Sequence, residues 1–336
     1  MRAVRVHEIS REAGPQQFRV DQVGDPKPGP GEALVAIRRA AFNRRDVFIS
    51  QGLYPNIQLP AILGSDGVGT VVGYGEGASG PPVGARVVLD PALNWGDDER
   101  VWRREAQVLG MPHPGTMAEL IAIPATNVHP APPTLTDDEA AAIPLGGLTA
   151  YRALVARGGC TKDDVVLITG IGGGVQTFVL LFAKRIGAKV IVTSSSDAKL
   201  DRASALGADV AINYKTSERW EKDVAAVDGG PSLIIDSAGG ETLAKALNIA
   251  RYGARVVIYG GTNGDAKIRP FSIFWKQLDV LGSSMGSPAD FAAMLACFDG
   301  SLKPIVDTTY AMDDVVEAAR KVDSGEQFGK VVLAIA

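Results

Sequence analysis

The run Val165-Val-Leu-Ile-Thr169 passes directly into Gly170-Ile-Gly-Gly-Gly174, and no other stretch of this chain constrains its fold as tightly. A continuous, largely β-branched run of that length reads as a strand buried on both faces. Beyond the glycines, Val175, Phe178, Val179, Phe182, Ala183 and Ile186 recur at helical spacing and form one apolar face before Gly187 stops the helix. A second buried-type strand, Lys189-Val-Ile-Val-Thr193, follows at once. Residues without side chains let a backbone approach a pyrophosphate, and the free N–H groups and dipole of a helix N-terminus favour that anion. In this setting Gly170, Gly172, Gly173, Gly174 and Val175 are expected to cradle a dinucleotide. The alternative is a tight turn that binds nothing.

The alternation continues. Strands are expected at 165–169, 189–193, 210–212, 233–236 and 255–259, with helices at 175–186, 199–206, 218–227 and 241–250 between them. Short connections in such a series argue for an α/β fold, a doubly wound parallel sheet with helices on both faces. Upstream the character differs. Residues up to about 125 are rich in glycine, proline and short β-branched runs such as Glu32-Ala-Leu-Val-Ala-Ile37 and Gly67-Val-Gly-Thr-Val-Val72, the pattern of a barrel-like β domain. Helical periodicity enters near Thr136, an expected N-cap with Glu139 three residues on. After Gly264 come a strand near Val280, helices after Ser287 and Met312 and a last strand at 331–335. This tail is expected to return to the first domain, or else to extend the parallel sheet.

Composition narrows the function classes. A net charge of -4 offers no electrostatic attraction to nucleic acid or to an anionic membrane. Cys160 and Cys297 are the only cysteines, too few for a disulfide framework or a cysteine-rich zinc site. The chain opens on a strand-like Ala3-Val4-Arg5-Val6 without a basic-then-apolar signal, and a cytoplasmic location is expected.

Several motifs in order carry a family resemblance over essentially the whole length. They are Asn43-Arg-Arg-Asp46 with Gln51-Gly-Leu-Tyr-Pro55, Leu63-Gly-Ser-Asp-Gly-Val-Gly69, Leu148-Thr-Ala-Tyr151, the glycine turn, and Phe328-Gly-Lys-Val-Val-Leu333. The chain resembles the medium-chain dehydrogenase/reductases, the superfamily of zinc alcohol dehydrogenases and quinone oxidoreductases. The resemblance implies a GroES-like β-barrel catalytic domain over 1–125, a Rossmann domain over 126–263 and a segment over 264–336 that rejoins the catalytic domain. It also implies a homodimer joined through sheet edges.

Departures from the family pattern set the expected subclass. Zinc-dependent members carry cysteine at the Asn43 position, histidine at Ser65 and cysteine near Leu145. Asn and Leu cannot replace thiolates, and Asp66 alone does not make a tetrahedral site. The loop of a structural zinc is replaced by a cysteine-free segment around Trp95. Neither zinc is expected. Similarity to the quinone oxidoreductases implies that Asn43, Asp46 and Tyr54 line the pocket of an electrophilic acceptor, Asn43 and Tyr54 as donors. Asp46 is equally open to being a structural partner of Arg44 or Arg45.

An NAD enzyme usually ends its second strand with Asp or Glu for the ribose hydroxyls. Here Ser194 and Ser195 stand there with Lys199 a turn on, which suits a 2′-phosphate and points to NADP(H). Capping of the following helix by the serines is compatible with that role. The resemblance adds Tyr214 at the same phosphate, Thr149 at the nicotinamide, and Gly260, Thr262 and Ser283 at the sheet's carboxyl edge. It adds Lys330 at a cofactor phosphate, with a strand-edge charge as the alternative. Gln176 departs from the small residue usual in the turn and is expected to turn outward if packing is to survive. The expected activity is zinc-independent, NADPH-dependent reduction of quinones or activated carbonyls and enones. The competitors are an alcohol or aldehyde dehydrogenase, and a cofactor-binding protein with little turnover.

Overall fold

The computed structural model describes residues 1–336, which form two units, Met1–Gly146 with Ser287–Ala336, and Gly147–Gly286. The second unit holds a six-stranded, all-parallel sheet. Its spatial order is Val210–Asn213, Lys189–Ser194, Val165–Ile168, Leu233–Asp236, Arg255–Ile258 and Asp279–Gly282. Chain order reverses beside Val165–Ile168, so the crevice beyond that strand's carboxyl end is where such sheets take a ligand. All four residues of this strand are buried. The helix Gly174–Ile186 seats Phe178, Val179, Leu180, Phe182 and Ala183 in the interior, as its spacing requires, while Val175 and Ile186 lie at the margin. Truncating Phe178, 1% exposed, removes a packing contribution of about 3–5 kcal/mol.

The first unit is mainly antiparallel. Glu32–Ala41 is its hub, pairing with Asp66–Tyr74, Leu120–Pro124 and Lys330–Ala334. Gly69 sits where the first of these pairings shifts register. An added Cβ there would lie 2.2 Å from the Ala36 carbonyl oxygen, so only glycine lets the two backbones close. The C-terminal strand Lys330–Ala334 sets Val332 opposite Ala41, which carries Lys330 alongside residue 43.

Two boundaries differ from the sequence expectation. Residues 126–146 belong to the first unit because the helix Asp137–Ala141 is bound to it by charge: Arg38 and Arg86 meet Asp137 at 2.6 and 2.7 Å, and Arg39 meets Asp138 at 2.8 Å. Thr136 caps this helix reciprocally with Glu139, as its sequence predicts. Residues 264–286 belong to the second unit, since Asp279–Gly282 completes the parallel sheet as its sixth strand. The return to the first unit starts at Ser287.

Candidate active site

Each unit carries one cluster of the candidate side chains. In the first, Asn43 precedes the short helix Arg44–Ser50, and Asp46 reaches back to it: the Asn43 backbone N–H donates to Asp46 Oδ2 at 2.8 Å. The Gly64 N–H donates to Asp46 Oδ1 at 3.3 Å, tying the helix start to the 63–66 loop. Burial raises the Asp46 carboxyl above the ordinary carboxylate range, a shift that Arg45 and the Asn43 amide oppose. Arg45 donates to Ser65 Oγ and to the Leu109 carbonyl, both at 2.9 Å, and its guanidinium lies 5.0 Å from the Tyr54 ring centroid. The Arg45–Asp46 pair is looser, at 4.0 Å. Arg45 therefore braces Tyr54 and Ser65 more closely than it pairs with Asp46. Nothing in the sequence singles Arg45 out from Arg44.

The centre of this cluster is fully interior. Asp66, 0% exposed, accepts the Leu145 N–H at 2.5 Å on Oδ1 and the Asn43 side-chain amide at 2.9 Å on Oδ2. Lys330, 3% exposed, donates to the same Oδ2 at 2.5 Å and to Asn43 Oδ1 at 2.7 Å. This corrects the placement expected for Lys330. Its ammonium is committed to an internal carboxylate and amide, not presented to a cofactor phosphate or to the strand edge.

In the second unit the glycine turn has the backbone its composition demands, with Gly170 at φ 76° and Gly172 at φ 129°. A Cβ on Gly172 would lie 3.1 Å from Lys199 Nζ, so the ammonium hangs directly over the turn. Ser194 Oγ accepts the Ser196 N–H at 3.2 Å, and the Tyr214 N–H donates to the Ser194 carbonyl at 3.0 Å. Ser194 and Tyr214 thus meet through the backbone at one strand end, beside exposed Ser195, while Lys199 lies over Gly172. Gly260 and Thr262 meet at Ser237: the Thr262 N–H donates to its carbonyl at 3.1 Å, and a Cβ on Gly260 would lie 3.2 Å from it. Ser283 follows the sixth strand with its hydroxyl buried and unpaired, and Thr149 is buried in the helix Pro144–Tyr151.

Gln176 does not turn outward. Its amide crosses the turn and donates to Ser237 Oγ at 2.7 Å, beside the interior hydroxyl of Tyr259, whose titration burial pushes up. Its Oε1 would meet a Cβ on Gly173 at 2.3 Å. The side chain fits because Gly173 leaves it room and Ser237 gives it a partner.

Comparison with known proteins agrees with both halves. Residues 29–133 match the alcohol dehydrogenase GroES-like domain, and residues 174–300 match the zinc-binding dehydrogenase family. The zinc-type alcohol dehydrogenase-like protein YogA of Leptosphaeria maculans is 37% identical, over 95% of this chain and 94% of its own. An acryloyl-coenzyme A reductase of Sulfurisphaera tokodaii is 29% identical, over 95% of this chain and 97% of its own. Among solved structures, one described as an NAD-dependent alcohol dehydrogenase superposes with a TM-score of 0.92 at 34% identity, covering all of both chains.

The zinc that such names imply does not fit the residues present. Asn43 and Ser65 offer neutral oxygens, Leu145 offers no side-chain donor, and an ammonium already occupies the space between Asn43 and Asp66. No group of three or more His, Cys, Asp or Glu side chains is placed to hold a metal ion. A dinucleotide does fit, since the glycine backbone of the turn and the Lys199 ammonium over it suit its anionic phosphates. On its motifs, fold and relatives, this chain is an oxidoreductase-type member of the medium-chain dehydrogenase/reductase superfamily.

Proposed function

We propose that the protein is a zinc-independent, NADP(H)-dependent reductase of quinones or other activated carbonyl and enone acceptors. The observation that carries this reading is the Asn43–Asp66–Lys330 cluster, an organised polar centre whose donor set suits an oxyanion and not a metal. Alcohol oxidation depends on stabilising an alkoxide, which a Lewis acid does well. Reduction of an already electrophilic acceptor asks less: a hydrogen-bond donor at its oxygen and correct placement.

When bound, the reduced nicotinamide supplies the hydride. Asn43 donates from its side-chain amide to the oxygen on which negative charge develops, the Tyr54 phenol beside Arg45 supplies a second donor, and a proton from solvent completes the reduction. Asp46 keeps the Asn43 backbone in place through its two amide contacts. Gly170, Gly172, Gly173, Gly174 and Val175 would admit the pyrophosphate, and Ser194, Ser195, Lys199 and Tyr214 would hold the 2′-phosphate. Thr149, Gly260, Thr262 and Ser283 line the rest of the cofactor. The acryloyl-coenzyme A reductase relative supports an activated alkene as acceptor. The solved neighbour described as NAD-dependent makes the choice of nucleotide the point to test.

A homodimer completes the reading. The edge strand Asp279–Gly282 is mostly exposed, and Phe271, Phe274 and Trp275 stand 56–62% exposed close before it, which suits pairing with a second copy. The function is tested by following NADPH and NADH consumption against a panel of quinones, enones and alcohols, before and after chelation. Chelator-resistant, NADPH-preferring reduction is expected. Zinc-restored alcohol oxidation would overturn it.

A further inference from the structure

Asn43 is held in one orientation by chemistry, not only by packing. An ammonium can only donate hydrogen bonds and a carboxylate can only accept them. Lys330 therefore fixes Asn43 Oδ1 as the acceptor, at 2.7 Å, and Asp66 fixes the amide nitrogen as the donor, at 2.9 Å. A flipped amide would set N–H groups against the ammonium and oxygen against the carboxylate. Both oxygens of Asp66 are engaged, with the Leu145 N–H on one and two donors on the other. Only one of the two amide hydrogens of Asn43 is needed by Asp66. The strand register explains how a residue 287 positions away supplies the cation: Val332 pairs with Ala41, and the Phe42 N–H donates to the Val331 carbonyl at 2.9 Å.

We propose that Lys330 is a positioning residue of the acceptor site, an internal cation that does the organising work a metal does in zinc-bearing relatives. It locks the Asn43 amide so that its second N–H remains available to an acceptor oxygen, and it neutralises Asp66 so that no bare carboxylate faces that oxygen. The proposal rests on the reductase reading above.

The test uses the full chain with Lys330→Met, Lys330→Arg and the double variant Lys330→Met with Asp66→Asn. NADPH affinity is read by nucleotide fluorescence, turnover with an enone accepted by the wild type, and unfolding by thermal melt. Loss of one oxyanion donor typically lowers kcat by about 10²–10³. Loss of its orientation is expected to lower kcat by about 10–100-fold in Lys330→Met, with acceptor KM and NADPH affinity within about threefold of wild type. Lys330→Arg, which keeps charge and donors, recovers part of kcat. The double variant melts above Lys330→Met, because no unpaired carboxylate stays buried, yet its kcat stays low because nothing fixes the amide. Wild-type kcat in Lys330→Met, or full recovery of kcat in the double variant, overturns the proposal. So does a tenfold loss of NADPH affinity with kcat intact, which would return the lysine to a phosphate. A wild type that binds NADPH but reduces no member of the panel removes the reductase reading itself.

Discussion

The sharpest handle on the cofactor is Ser194→Asp. Ser194 is 4% exposed at the end of the Lys189–Ser194 strand and accepts the Ser196 N–H at 3.2 Å. A carboxylate can keep that bond, so the fold is expected to tolerate the change. For a 2′-phosphate the change is severe. Such a group carries a charge of about −1.5 to −2 near neutrality. At roughly 5 Å from the new carboxylate, with an effective dielectric constant of about 40–80 where the exposed Ser195 admits solvent, the repulsion is about 1.5–3 kcal/mol. Lys199, poised over Gly172, offsets part of it. NADPH affinity should fall by at most about 10–150-fold, the unoffset limit, while NADH affinity should hold or rise through bonds to the ribose hydroxyls worth about 1 kcal/mol each. Fluorescence titrations with both nucleotides at low and high salt give the comparison, and the NADPH penalty should shrink as salt screens it. If the variant binds NADPH as the wild type does, the 2′-phosphate does not lie at Ser194.

Two further expectations concern other parts of the chain. Asp90, 1% exposed, accepts the Ala92 N–H at 2.9 Å, and burial pushes its carboxyl up to about 7 from 3.8. The unfolded chain ionises this group from about pH 4 while the folded chain holds it protonated to about 7, so its contribution to stability is lost as pH rises through that window. Asp90→Asn, which keeps the acceptor, should therefore gain on the wild type between pH 4 and 7, by about 4 kcal/mol at most, and level off above. Denaturant unfolding at several pH values reads this out; a pH-independent difference would refute it. Trp275→Glu, placed in an exposed aromatic group where Phe271 and Trp275 stack at 5.3 Å, should convert a dimer to monomers by light scattering without lowering the melting temperature of the chain. A wild type that is monomeric at micromolar concentration would remove that expectation.

What was legible in the sequence is mostly what is local. The all-buried strand Val165–Ile168, the glycine turn and the Thr136–Glu139 cap are each set by neighbours within a few residues, and their residue types announce them. Ser194 and Tyr214 meet through the backbone because their neighbouring parallel strands end side by side. The misplaced features depend on distant partners. Lys330 reads as a surface or phosphate lysine until the returning strand lays it against Asp66, 264 residues away. Gln176 reads as a clash until Ser237, 61 residues on, is seen to receive it. The boundary near 126 shifts to 146 because ion pairs from Arg38, Arg39 and Arg86 hold a helix whose own pattern says nothing of where it docks.

The step to be measured is the proposed hydride transfer to an electrophilic acceptor at a centre organised by Lys330 and Asn43 without a metal. Its most direct test is a single-turnover reaction of enone with NADPH deuterated at the reactive nicotinamide carbon, using protein dialysed against a chelator and assayed for zinc by mass spectrometry. Deuterium is expected in the reduced product from protein without stoichiometric zinc, at the same rate as undialysed protein given the same deuterated cofactor. A rate that falls with the zinc content and returns when zinc is restored would contradict it.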